Sequence, residues 1–136
     1  IYGEVKSVID KGRSKGVLNA SQGGDLYQTA VPKISSDKST LGAAEADAQK
    51  AANGKIAAAT GDAYLGYGDY AKAATMFELA KQKGSVDADE VNTRLGIAKT
   101  LGGDMAGAKA AFEAVQSGAR KQIAALWLAY LGTKGA

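Results

Sequence analysis

The sequence predicts an all-α fold of stacked antiparallel helix pairs that form an α-α superhelix, and three observations support this prediction. Part of the chain repeats after 35 residues, apolar residues within the repeat recur at helical spacing, and runs rich in Val, Ile and Thr are scarce. A chain of 136 residues is long enough to bury its own hydrophobic core. We therefore expect one domain over residues 1–136.

The repeat is clearest between residues 61 and 78. A shift of 35 residues aligns this segment with identical residues further along the chain. The identical pairs are Gly61/Gly96, Ala63/Ala98, Gly68/Gly103, Asp69/Asp104, Ala71/Ala106, Ala73/Ala108, Phe77/Phe112 and Glu78/Glu113. A shift of 68 residues also aligns Tyr2 with Tyr70 and Gly16 with Gly84, which predicts that the chain begins partway through a repeat.

Each repeat is predicted to be two helices joined by a Gly-Asp turn. Gly68 can end the first helix in the left-handed conformation, and Asp69 can cap the amides that begin the second. Gly103 and Asp104 are expected to do the same in the next repeat. Asp87, followed by Glu90, predicts a capped helix start in the next repeat. The predicted helices lie near 2–14, 22–31, 38–52, 55–67, 70–83, 88–101, 105–117 and 120–131.

The first of these repeats, between 20 and 53, is degenerate. Pro32 is expected to end its first helix, because proline disfavours the helical conformation of the residue before it. The polar segment 34–38 is then a connection, and Ser36, Asp37 or Ser39 would cap the following helix.

Small residues predict where paired helices cross. Gly61 and Gly96 are expected at these crossings, with Ala73 and Ala108 opposite, since a minimal side chain lets two backbones approach closely. Two phenylalanines, at positions 77 and 112, would then fill the space beyond each crossing.

Composition excludes most familiar catalytic and metal chemistry. The chain has no Cys and no His, which removes Cys/His zinc sites, Cys nucleophiles and His general bases. The carboxylates are explained as helix caps, so we predict no catalytic, cofactor-binding or metal-binding residue and no enzyme activity. Gly66 to Ala71 matches a loose dinucleotide fingerprint, but a predicted helix precedes it where the motif needs a strand, and a hairpin turn explains it.

Charge and hydropathy limit the partners. The net charge of +3 is spread over both halves of the chain, which predicts no nucleic-acid partner. The longest apolar run, Ile123 to Leu131, is too short for a membrane span of about 20 residues. Trp127 and its apolar neighbours are expected either to cap the last helix pair or to offer a patch for another protein or a second copy.

These residues together resemble the tetratricopeptide repeat family, whose 34-residue helix-turn-helix carries small, Tyr, Gly, Ala and aromatic residues at set positions. Counting from Gly54, the matching residues are Gly61, Tyr64, Gly68, Ala73, Phe77 and Ala80. Counting from Asp89, they are Gly96, Gly103, Ala108 and Phe112. The family's Trp is replaced by Ala57 or Asn92, and its Pro by Ser85.

The resemblance implies a division of the chain into repeats. Residues 1–16 would be the second helix of a truncated repeat, 20–53 a degenerate repeat, 54–87 and 88–118 two full repeats, and 119–132 a capping helix. Because the chain opens at Ile1, we also expect it to be the C-terminal part of a longer bacterial protein. Either the cytoplasm or the periplasm suits a chain without cysteine.

In this family the first helix of each pair lines a concave groove that binds protein or peptide ligands. The resemblance places the following residues in that groove: Lys55, Asp62, Leu65, Glu90, Thr93, Arg94, Ile97 and Thr100. Lys55, Asp62, Glu90 and Arg94 are expected to pair with one another or with a partner's charges. We therefore predict a non-catalytic interaction scaffold. The alternatives are a self-association module acting through the C-terminal helix, or a helical domain that supports an enzyme encoded upstream in the same chain.

Overall fold

A computed structural model describes residues 2–135, which form seven α-helices and no β-strand. The predicted fold class, all-α, is therefore confirmed for this part of the chain. Ile1, where the predicted domain starts, and Ala136, where it ends, lie outside the described residues. The helices are α1 (Tyr2–Ser14), α2 (Gly24–Lys50), α3 (Lys55–Gly66), α4 (Tyr70–Lys83), α5 (Ala88–Leu101), α6 (Met105–Glu113) and α7 (Gly118–Thr133).

Each helix packs against the next one along the chain, from α1 to α7. Contacts also join α3 to α5 and α5 to α7, so alternate helices meet across the intervening one. One core cluster lies among α2 to α6 and includes Tyr64 and Phe77. A second cluster, around Phe112 and Leu131, joins α6 to α7.

The Gly-Asp turns end one helix and begin the next, as predicted. Gly68 has φ +78° and Gly103 has φ +89°, the left-handed conformation that glycine adopts without a steric penalty. The side chain of Asp104 accepts a hydrogen bond from the amide of Gly107 at 2.9 Å, and Asp87 accepts one from Glu90 at 3.0 Å. Asp69 stands at the same place before α4, but its side chain makes no capping bond there, contrary to our prediction.

The predicted close packing is confirmed at both glycines, but each phenylalanine ring lies on the glycine itself, where we expected it beyond a helix crossing. Gly61 is buried against the ring of Phe77, and a Cβ atom built on it would lie 2.8 Å from Cε1 of that ring. Ala73 and Ala108 are fully buried. The chain therefore packs closely at these points because no larger side chain intervenes.

The segment from 20 to 53 differs from the prediction. It forms one 27-residue helix, α2, that continues through Pro32, where we expected two helices and a connection. The buried residues Ala30, Ile34, Leu41 and Ala48 explain the continuity, because they form one apolar stripe on both sides of the proline. The polar residues between Ile34 and Leu41 are exposed, and Asp37 among them accepts a hydrogen bond from the Tyr67 hydroxyl.

This single helix changes the position of α1 in the stack. The prediction that residues 1–16 are the second helix of a pair required two helices between 20 and 53. With α2 alone in that interval, α1 packs on α2, and its residues Gly3 and Glu4 share a cavity with Asp62 of α3 and with Tyr67, which directly follows α3. The start of α1 and the end of α3 therefore lie close together.

Candidate functional site

Charged residues of α3 and α5 line an open groove. Lys55 and Asp62 on α3 face Glu90 and Arg94 on α5 across a cavity of about 360 Å³. Ala58 and Ala59 leave room between them, because each carries only a methyl side chain. We call this cavity the α3–α5 groove. Four of the eight predicted groove residues therefore lie together.

The charges in the α3–α5 groove form a connected network. Arg94 Nη1 lies 2.8 Å from Asp62 Oδ2 and 2.6 Å from Glu90 Oε1. Arg120 Nη2 of α7 lies 3.3 Å from Glu90 Oε2. The predicted pairing of these charges is confirmed for Asp62, Glu90 and Arg94, and the network joins three alternate helices.

Burial sets the electrostatics of this network at Asp62. Loss of solvent raises the pKa of the Asp62 carboxyl above its usual value; the positive charge of Arg94 opposes this rise, and the negative charge of Glu90 adds to it. The side chains of Asp62 and Arg94 remain 41% and 34% exposed, so a ligand can still reach them. Ion pairs this exposed contribute about 0–1 kcal/mol, so exchanging them for a ligand's charges costs the fold little.

The other four predicted groove residues are used mainly in packing. Thr93 and Thr100 are buried, and their hydroxyls donate to the carbonyls of Asp89 and Gly96 at 2.7 and 2.8 Å. Leu65 packs on the central core cluster and Ile97 on the C-terminal one. Neither threonine therefore has a hydroxyl hydrogen left to donate to a ligand in the groove.

Tyr67 closes the α1 end of this face. A Cβ atom on Gly3 would lie 2.8 Å from Cδ1 of Tyr67, so α1 crosses the ring closely. The Tyr67 hydroxyl donates to Asp37 Oδ2 at 2.6 Å, and burial, with this bond, raises the pKa of Tyr67 to about 12. Tyr67 is therefore engaged with both α1 and α2.

An apolar cavity of about 540 Å³ lies between the end of α5 and α7. It is lined by Thr100, Leu101, Leu126, Trp127 and Tyr130, and we call it the α5–α7 cavity. The Trp127 ring stacks on Phe112 with centroids 5.7 Å apart, while Tyr130 meets Trp127 edge-on at 6.0 Å. Trp127 therefore covers the last helix pair, and its neighbours remain open to solvent.

Sequence reasoning missed Leu101 as a lining residue of this cavity. Leu101 is 50% exposed and Leu126 is 73% exposed. The sequence feature that could have indicated its exposure is its place directly before Gly102-Gly103, at a helix end where a polar residue is more usual. The pairing of that helix end with α7 depends on tertiary packing and has no local signal.

Two further residues that spacing did not predict fix the connections around the site. Asp89 accepts hydrogen bonds from the amides of Gln116 and Ser117 at 2.9 and 3.1 Å, which ties the α6–α7 connection to the start of α5. Lys83 Nζ donates to the carbonyls of Gln49 and Ala51 at 2.9 and 2.7 Å, which binds the end of α4 to the end of α2.

Comparison with known proteins leaves the function to be inferred from these residues. No family model, no curated protein and no solved structure matches the chain. Between residues 2 and 135, no three acidic side chains gather as ligands for a metal ion. Within the same residues, no helix has the length and apolar character needed to cross a membrane.

Proposed function

We propose that the chain is a non-catalytic interaction scaffold of the tetratricopeptide repeat kind, which binds a protein or peptide segment in the α3–α5 groove. The observation that carries this proposal is the open groove with Asp62, Glu90 and Arg94 paired across it. Such a surface offers a ligand hydrogen-bonding charges of both signs. Charges of this kind set the orientation and specificity of a bound chain.

The superhelical arrangement is part of the same proposal. It is supported by the contact of α5 with α3 on one side and with α7 on the other, which is the relationship expected between first helices of successive pairs. The repeated close contact of glycine with phenylalanine, Gly61 with Phe77 and Gly96 with Phe112, joins the two helices of each pair in the same way. A stack of equal pairs produces a curved inner face formed by its first helices.

The ligand of this groove is expected to carry charges of both signs. Arg94 is shared by two carboxylates, so a ligand's carboxylate can replace Asp62 or Glu90, and a ligand's cation can take the acid that is released. Lys55 adds an exposed positive charge at the mouth of the groove. A segment of mixed charge therefore fits better than a strongly basic or strongly acidic one.

The test is binding of a partner to groove variants. A partner captured from the source cell is identified by mass, purified and titrated against the parent chain and against Arg94→Ala. We expect Arg94→Ala to weaken binding about tenfold or more, because it removes the shared cation at the centre of the groove. The matched control is Lys109→Ala, which removes an exposed cation from α6.

The two variants must be equally well folded by circular dichroism. Equal affinity of the parent and Arg94→Ala for the purified partner would remove the groove from the binding site. An equal loss in both variants would indicate attraction by overall charge, which also contradicts a specific groove.

A further inference from the structure

We infer that the α5–α7 cavity is a second binding surface, which takes the apolar side chains of an acidic amphipathic helix from a partner protein. The inference rests on the proposed function only in taking the ligand to be a protein segment. The residues of this cavity are different from those of the α3–α5 groove, so an experiment can contradict one of the two proposals and leave the other unaffected. Its basis is the shape of the cavity, the chemistry of its walls and the charges beside it.

The cavity is concave and large enough for a ligand's side chains. Its volume of about 540 Å³ falls in the range of pockets that hold specific ligands. Leu101 and Leu126 approach it from two different helices, with Trp127 and Tyr130 alongside Leu126. A partner that inserts one or two large side chains here would cover apolar surface from both helices at once.

The walls offer a ligand mainly apolar contact, with the Trp127 indole N–H and the Tyr130 hydroxyl as polar groups beside it. The one short polar side chain in the lining, Thr100, is buried and donates its hydroxyl hydrogen to Gly96 of its own helix. Leu126 is 73% exposed, although a buried position would be favoured for a leucine. Apolar side chains of a ligand therefore gain most at this site.

The α7 side of the cavity carries charges of one sign, while on the α5 side Asp104 lies 3.8 Å from Lys99. After Glu113 the chain carries Arg120, Lys121 and Lys134 and no acidic residue. Arg120 is paired with Glu90, whereas Lys134 Nζ lies 5.3 Å from the ring centroid of Tyr130, at the edge of the cavity. The complement of this surface is a helix with an apolar stripe and flanking carboxylates.

The same charges disfavour a second copy of the chain as the occupant. Two α7 helices packed face to face would bring Lys121 and Lys134 of one copy near the cations of the other, with no acid on α7 to pair with them. A bilayer surface is disfavoured for a different reason. A flat surface contacts protruding side chains, whereas Leu101 and Trp127 lie within a concavity.

The chain offers a direct probe, because Trp127 is its only tryptophan. A displayed library of helical peptides that lacks tryptophan is selected on the full chain, and the selected peptides are synthesised. We expect them to carry large apolar residues at helical spacing flanked by Glu or Asp, and to shift the emission of Trp127 when they bind. Replacing their acidic residues with Gln should weaken binding.

The decisive comparison uses two exposed leucines. Leu126→Glu places a carboxylate in the cavity, and the matched control Leu26→Glu makes the same change at a leucine of α2 that is 63% exposed. We expect Leu126→Glu to weaken peptide binding about tenfold or more, the loss typical of a central anchor residue, and Leu26→Glu to leave it unchanged.

Several outcomes would overturn the inference. Peptides that leave Trp127 emission unchanged and respond to Arg94→Ala would place the ligand in the α3–α5 groove, which supports the proposed function and removes this second site. The cavity would have no peptide ligand if the library yields no binding peptide. The same conclusion would follow if the chain forms a dimer that Leu126→Glu abolishes, or if the emission of Trp127 shifts only with anionic phosphatidylserine vesicles. If peptides bind the α5–α7 cavity as expected but Arg94→Ala does not weaken binding of the α3–α5 groove partner, this inference holds and the proposed function fails.

Discussion

The ring of Phe112 lies directly against the backbone of Gly96. A Cβ atom at Gly96 would come within 2.5 Å of Cε1 of that ring, closer than real side-chain atoms approach. Gly61 and Phe77 make the same contact 35 residues earlier. The sequence repeat is therefore a repeated packing contact, and the absence of a side chain at each glycine sets how closely the helices cross.

We predict that Gly96→Ala destabilises the chain by about 1–3 kcal/mol. The added methyl group meets a phenylalanine that is only 1% exposed, so the ring has no free space into which it can move. The free energy of unfolding, measured by urea denaturation, should fall although alanine is the better helix former.

Gly42→Ala is the matched control for this substitution. Gly42 lies in the middle of α2 with nothing within 4 Å of an added Cβ, so alanine there should raise the free energy of unfolding by about 0.5–1 kcal/mol. Equal effects of alanine at positions 42 and 96 would show that the Gly96 contact does not determine stability.

The sequence predicted the close packing at Gly61 and Gly96 because it depends on residues that recur at a fixed interval. It did not predict the continuity of α2, because this depends on an apolar stripe that must be buried on both sides of Pro32. The local preference of proline for a helix end is real, but burial of Ala30, Ile34 and Leu41 along one face outweighs it in this fold.

We predict that Pro32→Ala stabilises the chain by up to about 3 kcal/mol. Proline has no amide hydrogen to donate to the carbonyl of Gln28, and Pro32 is exposed, so no packing is lost when it is replaced. Thermal melting followed by circular dichroism measures the effect. A large gain of helical signal at low temperature would contradict a helix that already continues through position 32.

The charged groove could also be predicted in part from the sequence. The repeat register placed Asp62 and Arg94 on equivalent helices, and their pairing follows from that placement. The contacts that anchor α2 could not be predicted in the same way, since α2 does not follow the repeat. The bond between Tyr64 and Glu45 is one of them, and it depends on where the long helix lies against α3.

We predict that Tyr64→Phe lowers the free energy of unfolding by about 1 kcal/mol. The Tyr64 hydroxyl donates to the Glu45 carboxylate, and this bond is the main cause that lowers the pKa of Glu45. The substitution should therefore also raise the pKa of Glu45, measured by carbon-13 NMR titration. Tyr2→Phe is the control, because Tyr2 is exposed and its loss of a hydroxyl should change neither quantity.

Asp89→Asn should destabilise the chain at neutral pH and make its stability less dependent on pH in acid. Hydrogen bonds from the backbone amide of Gln116 and from the hydroxyl and amide of Ser117 lower the pKa of Asp89 below its usual 3.8. A carboxyl with a lowered pKa in the folded state stabilises that state above its unfolded pKa. This contribution is lost as the pH falls through the folded pKa, when the carboxylate is protonated.

Melting temperatures of the parent and of Asp89→Asn, measured from about pH 7 to about pH 2, should therefore converge at low pH. Asp47→Asn is the control: Asp47 is exposed on α2, and its replacement should leave the melting temperature close to that of the parent throughout. Because Asp89 joins the start of α5 to the α6–α7 connection, its loss should also increase hydrogen exchange at the amides of Gln116 and Ser117. A constant difference between Asp89→Asn and the parent at every pH would show that the ionised carboxylate is not what holds this connection.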